Sequence, residues 1–111
     1  MKKVTFIIGK GFEKDGTPIV PHIQENRTKQ TFKAVAKAFG GYTATHCFGG
    51  WIDDKGELVE ETSLKIECLT DIPNVQSISE TLAFSFAALW NQDCVVLEIS
   101  NTEYSFISQK V

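Results

Sequence analysis

Apolar and polar positions along the chain alternate in some stretches and recur at helical spacing in others. In KKVTFIIG, Val4, Phe6 and Ile8 hold one parity and Lys3, Thr5 and Ile7 the other, the period-two pattern of a strand. Residues 9–25, GKGFEKDGTPIVPHIQE, break that pattern with Gly and Pro. So long a connection is of the kind that serves as a lid or binding loop. Its GKGFEKDG part lacks P-loop and dinucleotide spacing and reads as a mobile loop. NRTKQTFKAVAKAFGG then reads as a helix, with Phe32, Val35, Ala36 and Phe39 on one face. Asn26 or Thr28 would cap its start, and Gly40-Gly41 supplies its stop.

YTATHCFGGW and ELVEETSLKIECL are the next two strands, flanking IDDKGE as a hairpin turn. Asp53, Asp54 and Glu57 read as its solvated acidic tip. NVQSISETLAFSFAALWNQ is the second helix, with Ile78, Leu82, Phe86 and Leu89 as a core stripe. Ser77 and Glu80 have capping-box spacing, with Asn74 a competing cap. DCVVLEIS makes a fourth strand, and EYSFIS is a candidate short fifth.

The order β-α-β-β-α-β predicts an α+β, ferredoxin-like sandwich, an antiparallel sheet with two helices on one face. Phe84 projects from the far side of the second helix, and the sheet's other face would need cover if its Val, Phe and Trp residues point outward. Both features point to an oligomer, since a helix apolar all round is usually buried on more than one side.

Composition narrows the class. A chain of 111 residues is expected to form one domain, residues 1–111, burying roughly 65% of the surface its unfolded form exposes. The 42% hydrophobic and 23% charged residues are ordinary for a globular protein. A formal charge of −3 gives no general attraction to nucleic acid or anionic lipid, so neither is an expected partner. The start, MKKVTFIIGKG, is too short in apolar residues for a secretory signal, and no run approaches the roughly 18 of a membrane span. Cys47, Cys68 and Cys94 are odd in number, lack CxxC spacing and lie in strand-like segments. They are expected to be small, reduced core residues in a cytoplasmic protein.

For metal, the residues offer little. His46 and Cys47 are adjacent in a strand and face opposite ways, and His22 stands alone, so no metal site is expected. The same geometry argues against a Cys–His nucleophile pair. The Glu60-Glu61 pair is more informative. If Leu64, Ile66 and Cys68 face the helices, Glu60 falls near the rim of that face. Glu61 then points to the other side, in phase with Ser63, Lys65 and Glu67. On pattern alone a surface charge ladder is the simpler reading, with a site for a cationic ligand the alternative. Trp51, beside Gly49-Gly50, poses the same choice between packing and a flat platform for a purine or a cation. In FAALWNQDCVVLEIS, Asn91, Gln92 and Asp93 occupy a helix-to-strand turn that ordinarily favours Gly.

The combination of VEETSLKIEC, a following helix and LWNQDCVVLEIS resembles the phage S-adenosylmethionine (SAM) lyases, once called SAM hydrolases, over about Asn26 to Ser100. The sharpest parts are the paired glutamates before a strand ending in cysteine, and the QDCVVL that opens the last core strand. The resemblance implies a PII-like homotrimer with sites at subunit interfaces. It also implies cleavage of SAM, the substrate, to 5′-methylthioadenosine and homoserine lactone, without metal or cofactor. The family's catalytic glutamate falls on Glu61 and its Gln-Asp pair on Gln92 and Asp93, as substrate-binding residues. The family carries a tyrosine upstream of that glutamate, where the nearest aromatic here is Trp51, which could keep the stacking but not the phenol hydrogen bond. In biological terms it implies phage counter-defence against restriction–modification. A non-catalytic PII-like trimer that binds or sequesters a nucleotide, and a structural or inhibitory protein without a small-molecule site, are the alternative readings.

Overall fold

The computed structural model describes residues 1–109. Its elements are β1 (Lys2–Gly9), α1 (Pro21–Phe39), β2 (Thr43–Ile52), β3 (Leu58–Thr70), α2 (Val75–Leu89) and β4 (Val96–Asn101). The strands form one sheet in the order β2-β3-β1-β4, and every neighbouring pair is antiparallel. This is the ferredoxin-like α+β fold.

Parity along the strands decides which face the helices cover. Val4, Phe6 and Ile8 of β1 and Leu64, Ile66 and Cys68 of β3 are all buried. They pack with Val35 and Phe39 of α1 and with Phe86 and Trp90 at the end of α2, so both helices lie on that face. Each large side chain so buried contributes roughly 1.5–3 kcal/mol. Phe6 is the hub, edge-on to Phe86 with ring centroids 5.3 Å apart and tilted against Phe39 at 6.4 Å. Trp90 is wholly buried, and its indole N–H donates to Thr31 Oγ1 at 2.9 Å, which joins the two helices. Of the expected stripe on α2, Phe86 is buried, whereas Ile78, Leu82 and Leu89 are only partly so.

Several boundaries differ from the sequence reading. α1 begins at Pro21, ahead of both expected caps, because proline at the first helical position has its fixed φ already suited and no N–H to lose. Asn26 and Thr28 therefore lie inside the helix, where the Thr28 hydroxyl donates back to Gln24 O. Gly40 ends the helix in the left-handed region (φ 88°), as the sequence suggests. No capping box forms on α2. Ser77 donates to Asn74 O, and Glu80 accepts from Gln76 Nε2. Residues 102–109 form no fifth strand. Of the cysteines, Cys68 is core, with burial pushing its thiol up to about 12, but Cys47 is partly exposed and Cys94 exposed. The reason is parity for Cys47, on the uncovered face opposite Ser63, and the later start of β4 for Cys94.

The segment expected to be a mobile loop is folded back on itself. Phe12 bridges Pro18, Ile19 N–H donates to Gly11 O, and Gly16 turns the chain at φ 89°. Ile19 anchors it in the core at 3% exposure. β2 and β3 run on past the end of β1 as an arm that exposes Phe48, Trp51, Ile52 and Leu58. Among the described residues no helix is long and apolar enough to cross a membrane.

Candidate functional site

The face of the sheet away from the helices carries Ile7 and Gly9 of β1, Val59, Glu61 and Ser63 of β3, Trp51 of β2 and Val96 of β4. Together with the loop after β1 and the turn after α2 they line an open cleft of about 670 Å³. Trp51, Glu61, Gln92 and Asp93, the four residues singled out from the sequence, all border it within one chain. Glu60 reaches its rim as well.

Gln92 is set in place by the way α2 ends. Asn91 adopts the left-handed conformation (φ 50°), and its N–H donates to Ala88 O at 3.2 Å. The Gln92 N–H donates to Ala87 O at 2.9 Å. This pair of bonds is the Schellman termination, in which Asn substitutes for the usual Gly because it tolerates positive φ. The side-chain Nε2 of Gln92 then donates to Phe12 O at 2.7 Å and to Trp90 O at 2.9 Å. With the amide nitrogen committed to carbonyls, the oxygen Oε1 is turned toward Glu61 and Gly9.

The neighbouring residues of the turn hold the same loop. Asn91 Nδ2 donates to Glu13 Oε2 at 2.8 Å, while the other oxygen of Glu13 pairs with Arg27 Nη2 of α1 at 2.9 Å. Those two contacts, the arginine first, hold the Glu13 carboxyl below the usual range. Asp93 meets Lys14 at 3.3 Å, but both side chains are largely exposed and the pair contributes little. Asn91, Gln92 and Asp93 are thus three consecutive ties between α2 and the loop after β1.

Glu61 stands opposite Gly49 in the β2–β3 register, so no side chain covers it from that strand. It forms no ion pair among the described residues, unlike Glu67, which contacts Lys3 and Lys65. Partial burial without a cation pushes its carboxyl pKa up. Two acceptors, Glu61 Oε1 and Gln92 Oε1, therefore converge beside Gly9, and among the described residues no ion pair neutralises the carboxylate. Such a pair is suited to a ligand that brings a cation or N–H groups. Trp51, half-exposed and two positions along the same face, offers a flat apolar wall.

Sequence reasoning missed Gly9, Phe12, Glu13 and Lys14 as parts of this cleft. Gly9 was within reach, since it continues the parity of Ile7 on the uncovered face. The others depend on how the loop folds back, which carries no periodic signal.

No protein-family model matches the sequence, and no curated protein does. Solved structures do resemble it. A phage SAM lyase in complex with S-methyl-5′-thioadenosine matches with a TM-score of 0.67 and 16% identity, covering 89% of this chain and 79% of that one. A phage SAM lyase in the apo state gives the same TM-score and identity over 99% and 91% of the two chains. The periplasmic divalent cation tolerance protein CutA from Archaeoglobus fulgidus matches with a TM-score of 0.59 and 9% identity, over 96% and 88%. At these identities the likeness establishes the fold.

Proposed function

We propose that this chain is a SAM lyase that converts S-adenosylmethionine to 5′-methylthioadenosine and homoserine lactone. The observation that carries the reading is the convergence of Glu61, Gln92, Asp93 and Trp51 on one cleft, in a fold shared with phage SAM lyases. About 670 Å³ lies within the range of small-molecule sites.

The chemistry asks little of the protein. The substrate's own carboxylate attacks its γ-carbon, the C–S bond breaks, and the bonding pair returns to sulfur. The carboxylate and sulfonium charges cancel as a lactone ester and a neutral thioether form, the α-ammonium keeps its charge, and no proton is transferred. Charge is lost on the way to the transition state, so a cleft walled by Ile7, Phe12, Val59 and Val96 favours the reaction over water. Holding the methionyl chain folded supplies the rest, since orientation in intramolecular reactions is worth up to roughly 7–11 kcal/mol. Glu61 holds the substrate's α-ammonium, whose charge is unchanged through the reaction, or balances its sulfonium; Gln92 and Asp93 bind its polar groups, and Trp51 stacks on the adenine.

The exposed apolar arm supports assembly of copies of this chain, and the reading includes a homotrimer with the clefts at its interfaces. In a phage-infected cell such an enzyme would act in the cytoplasm, depleting the methyl donor of restriction–modification systems. Incubation of pure protein with SAM tests the reading. Methylthioadenosine and homoserine lactone should accumulate well above the spontaneous rate. Tight nucleotide binding without product would instead identify a sequestering protein.

A further inference from the structure

Gly9 lies at the end of β1 on the cleft face, directly opposite Ser63. Its φ is not in the left-handed region, so the backbone there would accept any residue. At a strand end where the backbone does not require glycine, a close approach by another group is one reason for it. Here two side chains do. A Cβ on Gly9 would overlap Glu61 Oε1 and would stand 2.7 Å from Gln92 Oε1. Gln92 has little freedom to retreat, because its backbone is held by the Schellman turn and its Nε2 by Phe12 O.

We infer that Gly9 is a positioning residue of the cleft, its missing side chain being the space in which the Glu61 carboxylate and the Gln92 carbonyl converge. A side chain at this position drives the two oxygens apart and out of the geometry that grips a cationic ligand. The role deepens the lyase reading and rests on it for its catalytic consequence, though the convergence itself does not.

The test uses wild type, Gly9→Ala, Glu61→Asp and the double variant. Each is assayed for methylthioadenosine, checked by thermal unfolding and titrated by carbon NMR of labelled glutamate. Glu13 and Glu60 also border the cleft, with Lys14 and Asp93 as further charged neighbours, so Glu61→Gln identifies the resonance. Gly9→Ala should unfold near the wild-type temperature yet lose at least about tenfold in kcat/KM, the loss expected for one charge-assisted contact. Its Glu61 should titrate nearer the ordinary carboxyl value. The shorter Glu61→Asp side chain should make the two losses non-additive. Wild-type turnover in Gly9→Ala with an unmoved Glu61 titration would overturn the inference, as would strictly additive losses. If wild type itself makes no methylthioadenosine, the lyase reading fails and the titration alone decides the role of Gly9. In wild type, moreover, the Gly9 amide must shift in step with the Glu61 titration. Absence of that shift overturns the inference even where Gly9→Ala does not fold.

Discussion

The side-chain amide of Gln92 donates to the backbone carbonyl of Phe12 at 2.7 Å, tying the end of α2 to the loop after β1. The bond spans most of the chain in sequence and closes one side of the cleft. Removing it should loosen loop and site together. Gln92→Ala is expected to cost about 0.5–1.5 kcal/mol in urea unfolding, the range for a lost intramolecular hydrogen bond, and also to lower turnover. A stability loss with unchanged kinetics would leave Gln92 a purely structural residue.

Glu61→Gln keeps the shape of the side chain and removes its charge. A hydrogen bond to a charged group contributes about 1.5–3 kcal/mol, so kcat/KM should fall about 10- to 150-fold. The oligomeric state by light scattering should not change. Full activity in the folded variant would remove Glu61 from the site.

The raised pKa of Glu61 carries two signs that can be read separately. Catalysis that needs its anion should rise with pH, with a midpoint in kcat/KM above the ordinary carboxyl value of 4.5. Stability runs the other way. The folded chain holds this proton more tightly than the unfolded chain does, so the Glu61 contribution falls as pH rises from the ordinary value through the raised one. Glu61→Gln should therefore unfold at a somewhat higher temperature than wild type at neutral pH. A lower melting temperature would contradict the desolvation argument.

Trp51 lies on the exposed arm, where truncation opens no core cavity. Trp51→Ala should weaken methylthioadenosine binding by about 1–3 kcal/mol, the range for a base stacked on an aromatic ring. Trp51→Phe should retain much of the affinity. Calorimetry checks both, and equal binding by all three proteins would place the adenine elsewhere.

Trp90 tests the scaffold rather than the site. Trp90→Phe deletes the bond to Thr31 and leaves a void between the helices, at an expected cost of about 2–4 kcal/mol in denaturant unfolding. A near-neutral change would mean that the helices repack.

The period-two pattern of β1 and β3, the helical spacing of Phe32, Val35 and Phe39 and of Ile78, Leu82, Phe86 and Leu89, and the IDDKGE turn together placed the major elements in order. The parity argument that turned Glu61 away from the helices also holds in the register. Alternation is a local property, and it dictates the face of each side chain once one face is buried. Helix starts were less legible. Asn26 and Thr28 satisfy the statistics of a cap, but Pro21 initiates α1 earlier because its ring fixes φ without sacrificing a donor. Asn91 was legible only in part, as an unusual residue where Gly is favoured; its left-handed φ supplies the reason.

Sequence pattern alone therefore defined the layers of the fold, the outward face of Glu61 and the oddity of the Asn91-Gln92-Asp93 turn. Folding in three dimensions brought Gln92 against Phe12, Glu13 between Arg27 and Asn91, and two oxygens over Gly9. Periodicity reports what each residue does relative to its immediate neighbours. The cleft is made of contacts between segments far apart in the chain, whose meeting depends on loop closure and core packing and leaves no trace in local spacing.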